Sequence, residues 1–151
     1  MEGQSMSPFK TLIVEDNVSS RQTLLEILAA RFPFMSIEEA GDGDEALQKL
    51  ALFMPDLIFM DIKLPGENGL QLTQKIKARY SEVVIIVLTS YDFPEYREAA
   101  FRYGANHFMV KGLSTNEEIL ALVESILENS GFAVDGSAKR NYSEGRSKNH
   151  S

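Results

Sequence analysis

The chain has 151 residues, about one domain, and 44% of them are hydrophobic, enough to bury a proper core. It has no cysteine, which excludes a disulfide framework, a thiolate metal site and a thiol nucleophile. The net charge of −7 is uneven: after residue 130, Lys139, Arg140, Arg146 and Lys148 outnumber Asp135 and Glu144, so the acidic excess falls on the first 130 residues and works against nucleic acid as a direct partner.

No apolar run approaches the roughly 18 residues of a membrane span. Residues 1–7 lack the basic start and apolar stretch of a signal peptide and are read as a disordered N-terminus. A cytoplasmic protein without a membrane partner is expected.

Phe9 to Val14 forms a first strand, closed by Glu15-Asp16. Asn17, Ser19 and Ser20 supply capping oxygens for a helix carrying Leu24, Leu25, Ile27, Leu28 and Phe32, stopped by Pro33. Ser36 to Ala40 is a short second strand near an edge. Gly41 and Gly43 are turn residues, and a second helix from Asp44 carries Ala46, Leu47, Leu50 and Ala51.

Leu57-Ile58-Phe59-Met60 runs straight into Asp61, preceded by Pro55 and followed by a loop holding Pro65, Gly66 and Gly69. A short apolar run bounded this way is a buried strand, and its lack of alternation places it centrally in a parallel sheet. A third helix runs from Leu70 to Tyr80, with Leu70, Thr73, Ile76 and Tyr80 on one side. Val83 to Thr89 is mostly β-branched and reads as a buried strand.

Pro94 sits in the first turn of a fourth helix, whose inner face is expected at Phe93, Tyr96, Ala99, Ala100 and Tyr103, with Gly104 at its C-terminal cap. His107 to Val110 is a fifth strand, ended by Lys111-Gly112. Thr115 and Glu118 make a capping box for a fifth helix with a broad apolar face from Ile119 to Leu127. Residues 8–130 are read as one domain, and residues 131–151 as a flexible polar tail.

Five βα units in succession imply an α/β fold: a doubly wound parallel sheet of order 2-1-3-4-5 with helices on both faces. In such sheets the carboxyl ends of the strands line the ligand crevice. Here those ends carry Glu15 and Asp16, then Asp61, then Thr89, then Lys111. Taken singly, Thr89 reads as a strand-end residue and Lys111 as a solvated lysine. Converging unpaired carboxylates are harder to dismiss, because they repel unless a cation intervenes. A hard divalent ion such as Mg²⁺, held by carboxylates, would leave Asp61 ionised as an oxygen nucleophile for phosphoryl transfer. Lys111 and the Thr89 hydroxyl would then serve the phosphoryl oxygens.

This set resembles the receiver domain of two-component response regulators (a CheY-like, flavodoxin-like fold, nearest the NarL type) over about residues 8–129. The resemblance rests on Glu15-Asp16, on Asp61 in the segment from Phe59 to Gly69, on Thr89 after its apolar strand, and on Lys111 after Phe108-Met109-Val110. It implies that Asp61 accepts phosphate from a histidine kinase or a phosphotransfer protein. It also implies Mg²⁺ held by Glu15, Asp16, Asp61 and the backbone carbonyl of Lys63. Thr89 and Phe108 would form a switch pair, and helix four, strand five and helix five the output face, with a homodimer through that face as one use of it. Gly112 stands where the family often has proline, which puts the loop geometry in question. Lys63 and Tyr91 lie two residues past Asp61 and Thr89, positions that the resemblance implies flank the path of the attacking water, and the bulk of Tyr91 is expected to slow hydrolysis.

Other readings are weaker. Gly41-Asp42-Gly43-Asp44-Glu45-Ala46 fits a dinucleotide pattern but follows the second strand, and its acids would repel a pyrophosphate. A haloacid-dehalogenase-type phosphatase needs an acid two residues past its nucleophile, where Lys63 stands. His107 reads as structural and half-exposed. A pseudo-receiver, a binding module that is never phosphorylated, usually lacks the phosphoacceptor or the acid pair, and both are present. The chain is expected either to stand alone or to be a fragment of a longer DNA-binding regulator.

Overall fold

The computed structural model describes residues 8–133 and Ser137. The expected disordered residues 1–7, and the tail beyond 133 apart from Ser137, lie outside the described residues. The elements alternate as β1 (Lys10–Val14), α1 (Val18–Arg31), β2 (Ser36–Ala40), α2 (Gly43–Phe53), β3 (Leu57–Met60), α3 (Gly69–Arg79), β4 (Val84–Thr89), α4 (Pro94–Arg102), β5 (His107–Val110) and α5 (Asn116–Asn129). All strand pairs are parallel and the order is β2-β1-β3-β4-β5, the doubly wound order expected from the sequence.

Strand alternation sorts the apolar residues into two cores. Leu12, Val14, Ile58, Met60, Ile85, Val87, Phe108 and Val110 pack with Ala46, Leu50, Leu70, Leu72, Ile76 and Ala100, on the side of α2, α3 and α4. Phe9, Ile13, Leu57, Phe59, Ile86 and Leu88 pack with Leu24, Leu28, Ile119, Val123, Ile126 and Leu127, on the side of α1 and α5. β3 is buried on both faces, which is why its sequence shows no period of two.

The helix ends follow side-chain chemistry. Asn17, Asp42 and Asn68 each accept a backbone N–H from the first turn of their helices. The Thr115–Glu118 capping box is complete in both directions. Gly104, φ 109°, follows the cap of α4 in the left-handed region.

Several expectations need correction. Gly43 is not a turn residue but the first residue of α2, with Asp42 as its cap. Leu47 and Ala51 lie on the exposed side of α2. Of the five residues expected on the inner face of α4, Ala100 is buried and Tyr96, Ala99 and Tyr103 are half-buried against the core, so only Phe93, the N-cap and 50% exposed, falls outside it. Beyond α5, Gly131 turns at φ 91°, and Phe132 sets its ring edge-on to Phe9 with centroids 5.4 Å apart.

Candidate functional site

Alternation carried one residue past each strand explains which side chains meet. Glu15 follows the parity of Ile13, Asp61 that of Phe59, and Lys111 that of Met109, so all three turn to the α1–α5 side at the carboxyl rim. Register sets them level: Val14 pairs with Met60, and the Asp61 N–H donates to Val14 O at 3.0 Å. The Lys111 N–H donates to Thr89 O at 2.8 Å, which anchors the end of β5.

The Lys111 ammonium donates to a Glu15 carboxylate oxygen and to Asp61 Oδ2, the latter at 3.1 Å. Asp61 Oδ1 accepts the Ile62 N–H at 2.7 Å, and Glu15 accepts the Asn17 N–H at 3.0 Å. Glu15 and Asp61 are buried, whereas Asp16 is exposed. One ammonium thus serves two buried carboxylates while a third acid stands beside them.

The electrostatics follow from this crowding. Burial pushes the Glu15 carboxyl above its usual range, and the nearby Asp61 charge adds to it; the hydrogen bonds from Lys111 and Asn17 offset only part. Burial alone would lower Lys111, but its bond to Glu15 and the charges of Asp61 and Glu15 outweigh it, so the ammonium is held above its ordinary value.

Carboxylate oxygens of Glu15, Asp16 and Asp61 all lie within 4.8 Å of one another. An all-oxygen donor set, open on the Asp16 side, fits a hard divalent cation of the Mg²⁺ kind. Beside it, between α1 and the start of α5, lies a cavity of about 320 Å³ with an apolar lining that includes Ile13, Leu24, Phe59 and Ile119, and Lys111 and Asp61 also line it.

The remaining predicted residues fall as follows. Thr89 is fully buried at the end of β4, and its hydroxyl accepts the Tyr91 N–H at 3.3 Å. Among the described residues the hydrogen bonds of the Asp61 carboxylate go to Ile62 and Lys111, not to Thr89. Phe108 is buried under the Arg97 guanidinium, 4.8 Å from its ring centroid. Lys63 is exposed in the loop after β3, with its ammonium 5.1 Å from the Tyr91 ring centroid. Gly112 takes φ 87°, a left-handed conformation open to glycine, and the turn closes by Leu113 and Ser114 N–H groups donating to Val110 O. His107 is half-exposed, and its pKa is lowered by burial.

Two arginines escaped the sequence reading, and Gly69 was read there only as a loop residue. Arg21 Nη1 donates to the carbonyl of Glu15 at 2.8 Å. Gly69 lies against the backbone of Asp61, where a Cβ would stand 1.9 Å from the Asp61 carbonyl oxygen. Arg97 covers Phe108. The one available signal was Gly69, a poor helix former placed directly after a capping asparagine.

A family model described as response regulator receiver domain matches residues 11–124. The chain is 34% identical over 118 residues to the oxygen regulatory protein NreC of Staphylococcus haemolyticus, covering 78% of this chain and 54% of that one. It is 29% identical over 115 residues to the transcriptional regulatory protein DegU of Brevibacillus brevis, covering 76% and 47%. The chain therefore spans about half the length of these curated relatives. A crystal structure of a two-component response regulator from Clostridium difficile superposes with a TM-score of 0.75 at 27% identity, covering 80% of this chain and 97% of that one.

Proposed function

The chain belongs to the response regulator receiver domain family, and from that premise we propose that Asp61 is its phosphoacceptor and that Glu15, Asp16, Thr89 and Lys111 serve the transfer. Such a domain signals rather than turning over a separate substrate. The observation that carries the assignment is the meeting of Glu15, Asp61 and Lys111, from three strand ends, around one ammonium, with Asp16 alongside.

The donor is a phosphohistidine on a histidine kinase or a phosphotransfer protein. The ionised Asp61 carboxylate attacks phosphorus, forming an O–P bond as the P–N bond to the donor imidazole breaks. The electron pair leaves with the imidazole nitrogen, which takes a proton from solvent. Positioning and charge neutralisation are the main needs of this step. Lys111, already 3.1 Å from Asp61, follows the phosphoryl oxygens with its ammonium. The Thr89 hydroxyl leaves the Tyr91 N–H and donates to one of those oxygens. Mg²⁺ would be held by Glu15, Asp16, Asp61 and the backbone carbonyl of Lys63, and would supply the remaining positive charge.

Movement of Thr89 is passed to Phe108, which shares its face of the sheet through the pairs Val87–Phe108 and Thr89–Val110. The output face is α4, β5 and α5, which engages a partner or a second copy of the chain. A cytoplasmic setting follows from the kinase donor, and no helix among the described residues is long and apolar enough to cross a membrane.

The test is incubation with acetyl phosphate and Mg²⁺, read by intact mass. The expected result is one added phosphoryl group, absent after chelation and absent in Asp61→Asn. A full adduct on Asp61→Asn would move the site elsewhere.

A further inference from the structure

The corner that carries Glu15 and Asp16 is held from several directions. The Glu15 N–H donates to Ala40 O at 2.9 Å, and the Glu15 carboxylate takes the Asn17 N–H and the Lys111 ammonium. The Glu15 carbonyl is held by a side chain that comes back from the first turns of α1. Arg21 donates from Nη1 to Glu15 O at 2.8 Å and from Nε to Glu39 Oε1, also at 2.8 Å. Its side chain is only 20% exposed. Glu39 lies in β2, and its own carbonyl is taken by Lys49 from α2. One planar guanidinium therefore ties the peptide between the two acids to the neighbouring strand.

We propose that Arg21 is a positioning residue for the divalent-cation site: by holding the Glu15 carbonyl against β2 it sets the peptide from which Asp16 projects. The inference rests on the reading of Glu15, Asp16 and Asp61 as metal ligands. Asp16 needs such support more than its neighbours. It is exposed, whereas Glu15 and Asp61 are buried and bonded to Lys111. Its direction is therefore set by its backbone. A lysine cannot replace the fork, since a single ammonium does not present two donors in a fixed plane to a carbonyl and a carboxylate.

The sign of the effect separates positioning from simple charge. Arg21 is positive beside a cation site, so through-space repulsion disfavours metal binding. Removing it also leaves Glu39 negative and unpaired. On charge alone, Arg21→Met should bind a divalent ion more tightly. On positioning it should bind more weakly, because partners that orient metal ligands are typically worth ten-fold or more in affinity.

The experiment titrates the full chain, unphosphorylated, with Mn²⁺, and counts the free ion by its electron paramagnetic resonance signal. Circular dichroism and metal-free thermal denaturation run in parallel. The wild type should bind one Mn²⁺, lost in Asp16→Asn. Arg21→Met should raise the dissociation constant about tenfold, and Arg21→Lys, which keeps the charge, should also weaken binding. Arg21→Met binding as tightly as the wild type, or more tightly, overturns the proposal while leaving the metal site intact. Should Arg21→Met fail to fold, Arg21→Lys decides, and unchanged affinity there overturns it. A wild type that binds no Mn²⁺ overturns the metal site itself, and the wild-type titration alone shows that.

Discussion

Tyr91 is held from two sides. The Lys63 ammonium lies 5.1 Å from its ring centroid, and Tyr96 meets the ring edge-on at 6.3 Å. Lys63 comes from the loop after Asp61 and Tyr91 from the loop after Thr89, so the contact bridges the two segments beside the proposed phosphoacceptor. Hydrolysis of an acyl phosphate needs water to approach phosphorus opposite the aspartyl oxygen. A ring held across that approach would slow it, and the family resemblance implies that Tyr91 stands there. A cation–π contact of this exposed kind is worth about 0.5–1 kcal/mol, which corresponds to roughly a twofold to fivefold change in rate. Lys63→Met, which loses that contact while the ring stays, should therefore shorten the half-life of phosphorylated Asp61 by at most about that factor, and Tyr91→Ala, which removes the ring as well, by that factor or more. The decay of the phosphoryl adduct by intact mass measures both; an unchanged half-life in Tyr91→Ala removes the ring from the water path. At this scale Glu15, Asp16, Asp61 and Lys111 were legible because acids and a lysine at strand ends can be placed without knowing any side-chain contact. Arg21 and Arg97 were not. Their partners, Glu39 and Phe108, are set by tertiary packing, and an arginine on a helix is most often solvated.

At the scale of elements, the start of α3 limits the site most tightly. Gly69 is the first residue of that helix, and its N–H donates to Ile62 O at 2.8 Å. A Cβ at Gly69 would lie 1.9 Å from the Asp61 carbonyl oxygen and 3.0 Å from Ile62 Cα. These are backbone atoms, so no side-chain rotation relieves the overlap. Gly69→Ala should destabilise the protein by roughly 1–3 kcal/mol, although alanine is the better helix former by about 1 kcal/mol. The displaced Asp61 should also accept phosphate more slowly. Urea denaturation reads the first effect as a lower midpoint with an unchanged slope; a midpoint like that of the wild type would show that the helix can retreat without cost. The strands and helix starts could be read in sequence from apolar runs and capping residues, down to the Thr115–Glu118 box. The inner face of α4 could be read in part. Tyr96, Ala99, Ala100 and Tyr103 pack on the core as their spacing implies, with Ala100 the buried one. Phe93 stays exposed at the N-cap, where it and Tyr91 each meet the Tyr96 ring edge-on. Periodicity cannot tell a residue of the first helical turn from the cap that precedes it.

Across the whole molecule, a doubly wound parallel sheet was legible from βα alternation and crossover handedness, and its 2-1-3-4-5 order, one of the common ones, brings the three acids together. The same convergence works against stability. Lys111 serves Glu15 and Asp61 at once, burial raises the Glu15 pKa, and Asp16 adds a third carboxylate within 4.8 Å. Folded proteins keep such conflicts mainly where function uses them. A cation bound only by the folded state should therefore stabilise this chain, by about 2.7 kcal/mol when its concentration is 100 times its dissociation constant. Denaturation with EDTA and with saturating Mg²⁺ should show that increment in the wild type. Asp16→Asn should lose it, because two of the three carboxylates remain and both are bonded to Lys111. In EDTA the same variant should be at least as stable as the wild type, since it removes a repelling charge and, among the described residues, breaks no side-chain hydrogen bond. A Mg²⁺ increment that survives in Asp16→Asn would place the ion away from the acidic trio. A variant markedly less stable than the wild type in EDTA would mean that Asp16 supports the fold itself.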